Sequence, residues 1–175
     1  MKLYKCYNTE ITGTLETDIY VPICIRFESN NLKPRELFIY RFINKKSSLI
    51  ELTINSKTNK LIEFTFVSIN EATSGLLSNV FSRTDENGNP DFDTSMFNNN
   101  SIVTYSVDFD TVVSNGCVEI LFANEKEVAK VIFMNFICII TNINDEIIGF
   151  RLHGFSEEQW VELKTAIHHS SGKSL

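Results

Sequence analysis

The sequence predicts a predominantly β fold of the α+β class, with antiparallel sheets built from hairpins and one C-terminal helix. Three observations carry that expectation. Apolar residues recur at every second position along much of the chain, the period of a strand with one buried face. Polar stretches rich in Asn, Ser and Gly separate these runs at short intervals. Only SEEQWVELKTAI, 156–167, joins helical spacing to a start signal. With 175 residues, 43% of them apolar and 14 of them Phe, the chain can fill one core, expected as a single mostly β domain over 1–170.

The elements follow in order. In DIYVPICIRFE, Ile19, Val21, Ile23, Ile25 and Phe27 share a face, and Pro22, which has no N–H, places the run at a sheet edge. ELFIYRFI, 36–43, is the second strand. LIELTI and LIEFTFVSI flank the polar NSKTNK, a hairpin over 49–69 with Ile50, Leu52 and Ile54 facing Ile62, Phe64 and Phe66. Residues 70–83 are compatible with a short central helix that turns Leu76, Leu77, Val80 and Phe81 inward, although Gly75 weakens it. From Thr84 to Ser101 the composition, with N-G, N-P and NNN, reads as a loop.

Alternation resumes at Val103, Tyr105, Val107 and Phe109 and continues in the runs 117–122, 128–133 and 136–141. The last strand, 147–155, pairs back across NINDE. Ser156 with Gln159 three residues on forms a capping box, Glu157 and Glu158 suit the positive end of the helix dipole, and Trp160, Leu163 and Ile167 line one helical face. Residues 171–175 read as a frayed tail. Set beside FICIIT-loop-IIGFRLHGF, the hairpin LIELTI-loop-LIEFTFVSI matches position by position, with Ile62, Phe64 and Phe66 falling on Ile148, Phe150 and Leu152. Any two hairpins share alternation; if the match is more than that, it marks two related units, about 36–69 and 117–155.

Composition bounds the setting. MKLYKCYNTE has no signal-like apolar stretch, and VIFMNFICIITNI is far shorter than the roughly 20 residues that span a bilayer. A cytoplasmic protein is expected, with no membrane association. The four cysteines, 6, 24, 117 and 138, form no C-x-x-C pair; they read as reduced, largely buried thiols rather than zinc ligands.

The decapeptide TDENGNPDFD, 84–93, carries oxygen-bearing side chains at 85, 87, 89, 91 and 93, as a calcium loop would. Counted from Asp85, however, Pro90 stands where such a loop needs Gly and Met96 where it needs a bidentate Glu. No metal is expected. Asp108 and Asp110 would lie on one side of a strand, roughly 7 Å apart by strand rise, a spacing that glycosidase acid–base pairs use; two solvated acids on an outer face is the simpler reading. No nucleophile elbow, phosphate loop or basic patch is present, and His168–His169 suit a helix C-terminus. Neither a catalytic residue, nor a cofactor, nor nucleic-acid binding is expected.

One asymmetry remains. Residues 84–125 hold eight acids and no Lys or Arg, while the rest of the chain has sixteen basic and fourteen acidic residues; the net charge of −6 is thus −8 from this segment and +2 from the remainder. Concentrated acids either keep a surface soluble or steer a basic partner. The order of LIELTINSKTNKLIEFTFVSI, DENGNPDFD, VTYSVDFD and NDEIIGFRLHGFSEEQWVELK, over about 45–167, resembles small bacterial immunity proteins of contact-dependent growth inhibition and polymorphic toxin systems. The resemblance implies a cytosolic, non-enzymatic protein that covers the active site of one cognate toxin domain, in many such systems a basic nuclease. On that reading the partner surface is Asp85, Glu86, Asp91, Asp93, Asp108 and Asp110, with Phe92 and Phe97 as exposed apolar anchors. The rival expectations are a ligand-binding β domain whose Phe line a pocket, and a hydrolase using Asp108 and Asp110.

Overall fold

The computed structural model describes residues 1–8, 10–27, 36–75, 84–98, 100–122, 128 and 130–171. Two sheets face each other across a shared apolar core. The first contains β2 (Gly13–Glu16), β3 (Ile23–Phe27), β4 (Leu37–Ile43), β5 (Leu49–Asn55), β6 (Leu61–Ser68) and β10 (Ile102–Ser106), in the order β10-β4-β5-β6-β3-β2. The second contains β7 (Thr73–Ser74), β8 (Thr84–Asn87), β11 (Phe109–Ser114), β12 (Cys117–Phe122), β13 (Lys130–Met134), β14 (Ile137–Thr141) and β15 (Ile147–Leu152), in the order β7-β11-β12-β15-β14-β13-β8. A two-stranded ribbon, β1 (Leu3–Tyr7) with β9 (Asn89–Phe92), forms a small third sheet.

The two sheets repeat one connectivity. In each, a hairpin is followed by a three-stranded meander whose last strand returns beside the hairpin's second strand: β4-β5-β6-β3-β2 in one, β13-β14-β15-β12-β11 in the other. An extra strand then lies parallel beside the meander's first strand, β10 on β4 and β8 on β13. Register repeats as well. Leu52 pairs with Phe64 and Ile50 with Phe66; Ile139 pairs with Phe150 and Ile137 with Leu152. These are the positions that the two hairpins match in sequence, and the hairpins lie in different sheets.

Side-chain alternation explains the core. Ile23, Ile25, Leu52, Phe64 and Phe66 on one sheet, and Val118, Ile120, Ile139, Phe150 and Leu152 on the other, are fully buried in one cluster. Phe64 meets Phe150 edge-on across the sandwich at 5.3 Å between centroids, and Phe150, Phe122, Phe109 and Phe66 continue the contact chain at 6.1–6.3 Å. Aromatic pairs in such geometry add to the area they bury. Among the described residues the phenylalanines therefore pack in or against this core, except Phe133, which is 40% exposed.

Turns start from asparagine. The Asn44, Asn55 and Asn142 side-chain oxygens each accept two backbone N–H bonds from the turn that follows, closing β4–β5, β5–β6 and β14–β15. Asn115 (φ 44°) and Gly116 (φ 77°) form the tight turn between β11 and β12, where positive φ suits strand twist. Helix α1 (Glu157–Ser171) opens on the expected capping box: Gln159 N–H donates to Ser156 Oγ at 3.2 Å, and Ser156 N–H donates to Gln159 Oε1 at 2.9 Å. Leu163, Ala166 and Ile167 are buried beneath it.

Several expectations change. Pro22 only precedes β3, which is interior between β6 and β2, and Ile19 and Val21 are exposed outside the strand. The run 103–109 is two strands: β10 ends at Ser106 in the first sheet and β11 begins at Phe109 in the second, so Asp108 sits in the crossover. The central-helix residues 76–83 and the tail residues 172–175 lie outside the described residues; Thr73–Ser74 before them form β7.

Candidate functional site: the ribbon and its acidic strand

The decapeptide is no loop. Residues 84–92 form two short strands joined by a kink at Gly88. β8 hydrogen-bonds to β13 of the second sheet, and β9 pairs with β1 in the ribbon. Alternate side chains oppose one another as on any strand: Pro90 and Phe92 are buried while Asp91 lies between them, partly exposed. Gly88 (φ 134°) permits the kink, and its N–H donates to Phe133 O at 3.1 Å.

The ribbon bridges the two halves. Phe92 N–H donates to Asn59 O in the β5–β6 turn, and Leu3 N–H donates to Asp145 O in the β14–β15 turn, each at 2.9 Å. Leu3 and Phe92 are themselves partners and close one end of the core at 3% and 0% exposure. Phe92 is thus structural, and so is Phe97, 2% exposed, stacked on Phe38 at 4.3 Å and edge-on to Tyr40 at 4.5 Å. Neither is a surface anchor. Burying a Phe is worth about 2–3 kcal/mol, which explains why a polar-looking segment holds its path.

Elsewhere Tyr20, 82%, and Phe133, 40%, are exposed; on the ribbon two aromatics reach the surface, Tyr4, 59% exposed, and Tyr7, 49% exposed, both on β1. Nothing in the spacing of KLYKCY separates them from core residues, and sequence reasoning missed them. They line a groove of about 480 Å³ with Lys5, Cys6, Asn8, Asp85, Glu86, Asn87 and Lys130. Lys60 Nζ sits 4.4 Å above the Tyr7 ring, 2.7 Å from an Asp91 carboxylate oxygen and 2.7 Å from Asn89 O. Lys130 spans Glu86 at 3.0 Å and Asp145 at 3.1 Å. Burial opposes the charge on Asp93, yet hydrogen bonds from Ser95 and Tyr4 prevail and hold its pKa below the ordinary carboxylate value.

The predicted carboxylates therefore divide. Asp85, Glu86, Asp91 and Asp93 follow one another along the ribbon and its adjoining strand, but Lys130 of β13 answers Glu86 and Lys60 of the β5–β6 turn answers Asp91. Asp108 is ion-paired with Lys45, and with the exposed Asp110 it influences Lys46, away from the 84–93 segment in the chain path. Asp110 lies on β11 and Asp108 precedes it in the crossover, so the strand rise no longer sets their separation. Glu119, 1% exposed, is engaged by Arg151, whose Nε donates to it at 3.0 Å. The local field is accordingly far weaker than a charge of −8 suggests.

A second concavity, about 420 Å³, lies on the side of the second sheet turned away from the core, lined by Asp85, Val131, Phe133, Cys138, Ile140, Arg151 and His153. Burial pushes the Cys138 thiol up to about 12, and burial with the adjacent Arg151 lowers the His153 pKa. All four cysteines are free thiols, Cys24 and Cys138 buried, Cys6 and Cys117 partly so. No helix among the described residues is long and apolar enough to cross a membrane. No protein-family model matches the chain, nor does any curated protein.

Proposed function

We propose that the chain is a non-catalytic, protein-binding inhibitor, an immunity protein that docks on a toxin domain through the ribbon and the strand beside it. The observation that carries this reading is the exposure of Tyr4 and Tyr7 beside Asp85, Glu86, Asp91 and Asp93, while Phe92 and Phe97 are buried. Tyrosine offers large, rigid contact area with a polar tip and is enriched among residues that dominate binding energy. The carboxylates, interleaved with Lys5, Lys60 and Lys130, set register and partner choice rather than a strong steering field. At longer range the net charge of −6 favours a basic partner, as a nuclease domain is.

Calorimetric titration against the product of the neighbouring gene tests this reading. Replacing Tyr4 and Tyr7 together by Ala is expected to weaken binding at least about thirtyfold. Asp91→Lys should weaken it by less. Affinity unchanged by the double tyrosine substitution would contradict the proposed face.

A second reading, a ligand-binding β domain, draws on one observation: the 420 Å³ concavity has a volume typical of small-molecule sites and mixes apolar walls with Arg151 and His153. Native mass spectrometry of the purified chain separates the two readings. A retained small molecule supports the second, and the bare mass of the chain goes against it.

A further inference from the structure

Every open sheet needs its edges managed, because unpaired backbone groups recruit other strands. Three of the four edges of the two large sheets are blunted. β7 is two residues long. β8 carries Asp85 and Glu86 and is bent at once by Gly88. β2 is four residues long and is covered by α1, whose Gln159 Nε2 donates to Leu15 O at 2.6 Å.

Among the described residues, β10 has none of these devices. Its sequence, SIVTYS over 101–106, contains no charge, no Pro and no Gly, and it is rich in strand formers. Its outward rungs can be assigned. Ile39 N–H donates to Ser101 O at 2.8 Å and Val107 N–H donates to Ile43 O at 3.0 Å, at either end of a regular parallel register. Parallel pairing then directs both backbone groups of Val103 and Tyr105 at β4, and those of Ile102, Thr104 and Ser106 away from it. Ile102 is 42% exposed, and Thr104 and Ser106 are exposed too.

We infer that β10 is a homodimerisation edge, pairing antiparallel with β10 of a second copy of the chain about a two-fold axis at Thr104. The charge pattern selects this occupant. Each copy carries a net charge of −6, yet this edge is locally neutral, and a two-fold axis at residue 104 sets Ile102 opposite Ser106. The Lys45–Asp108 ion pair of each copy then falls at opposite ends of the joint strand pair, beside Asn100 of the other copy, so no like charges meet. The interface is isologous and closed, which ends growth at two copies. The inference is independent of the toxin-binding reading, since it uses another edge.

Sedimentation velocity of the full chain over a concentration range of about 5–500 μM tests it, the range suited to a small interface. The expected result is a rise in mass towards twice that of the chain. Thr104→Pro should hold the protein monomeric with its circular dichroism unchanged, because the lost N–H points away from β4. Thr104→Lys is the second variant, expected to do the same without altering the backbone. Thr104→Cys should cross-link across the axis on oxidation, since opposed residues of a hydrogen-bonded pair have Cα atoms about 5.5 Å apart. Ile102→Cys, which would face Ser106, should cross-link far less than Thr104→Cys. A monomer at every concentration, a dimer that both Thr104→Pro and Thr104→Lys leave intact, or equal cross-linking at 102 and 104 would overturn the inference.

Discussion

Gly88→Ala probes the joint between the second sheet and the ribbon. At φ 134° the backbone of Gly88 is in a region that side-chain-bearing residues rarely adopt. A Cβ there would lie 1.8 Å from the Tyr7 carbonyl oxygen and 2.8 Å from its carbon. The obstacle is backbone, so no rotamer change relieves it, and β1 must move away from β9. Strain of about 1–3 kcal/mol joins the loss of one or two ribbon hydrogen bonds at about 1 kcal/mol each. The expected total is about 3–4 kcal/mol, a fall in Tm of about 8–12 °C for a chain of this length. Gly116→Ala is the internal control, because Gly116 has φ 77° and a Cβ added to it would meet no atom within 4 Å. It carries the conformational penalty alone, about 1 kcal/mol. Urea unfolding followed by circular dichroism compares the two. Equal losses, or a Gly88→Ala loss below about 1 kcal/mol, would refute the claim that close approach to Tyr7 fixes the kink.

Three further outcomes are expected. Arg151→Met leaves the Glu119 carboxylate, 1% exposed, without its guanidinium and should cost about 3–5 kcal/mol, whereas the double change with Glu119→Leu should recover most of that loss in chemical denaturation. His153, whose pKa is lowered from 6.5 on folding, binds fewer protons in the folded than in the unfolded chain over the interval below 6.5. Its contribution to stability is therefore present above that pH and lost as pH falls, and His153→Gln should flatten the stability difference between about pH 7.5 and 5.5. With a thiol-specific reagent on the native chain, Cys6 and Cys117 should react first, while Cys138, 4% exposed and with its pKa pushed up to about 12, should react only after unfolding.

The sequence is legible wherever one strand face meets one core. The hairpins at 49–68 and 137–152, the run 117–122 and the Ser156–Gln159 cap read directly, because alternation or capping is a local property, save that a bulge opposite Ile54 buries Leu61 in place of the expected Ile62. It misleads where the chain changes partner. Unbroken alternation from Val103 to Phe109 conceals a crossing between sheets, since a strand that changes sheet keeps its period. Residues 84–93 read by composition as a loop, although Pro90 and Phe92 alternating with Asp91 and Asp93 already have the period of a strand. Asn115-Gly116 is a hairpin signal in plain view that alternation alone passes over. The acidic surplus misleads for another reason: Lys60 and Lys45 from turns, and Lys130 from β13, reach Asp91, Asp108 and Glu86 across long sequence separations, so a charge count along the sequence sees acids without their partners. The N-terminal strand with Tyr4 and Tyr7 has no periodic signature, because its register is set by β9 and by the β14–β15 turn.

Amide hydrogen exchange, compared between the free chain and its complex with the product of the neighbouring gene, reads the docking face without substituting anything. Slowed exchange concentrated in residues 2–8 and 84–93 is the predicted result. Protection confined to helix α1 or to the β11–β12 turn, with the ribbon unaffected, would contradict it.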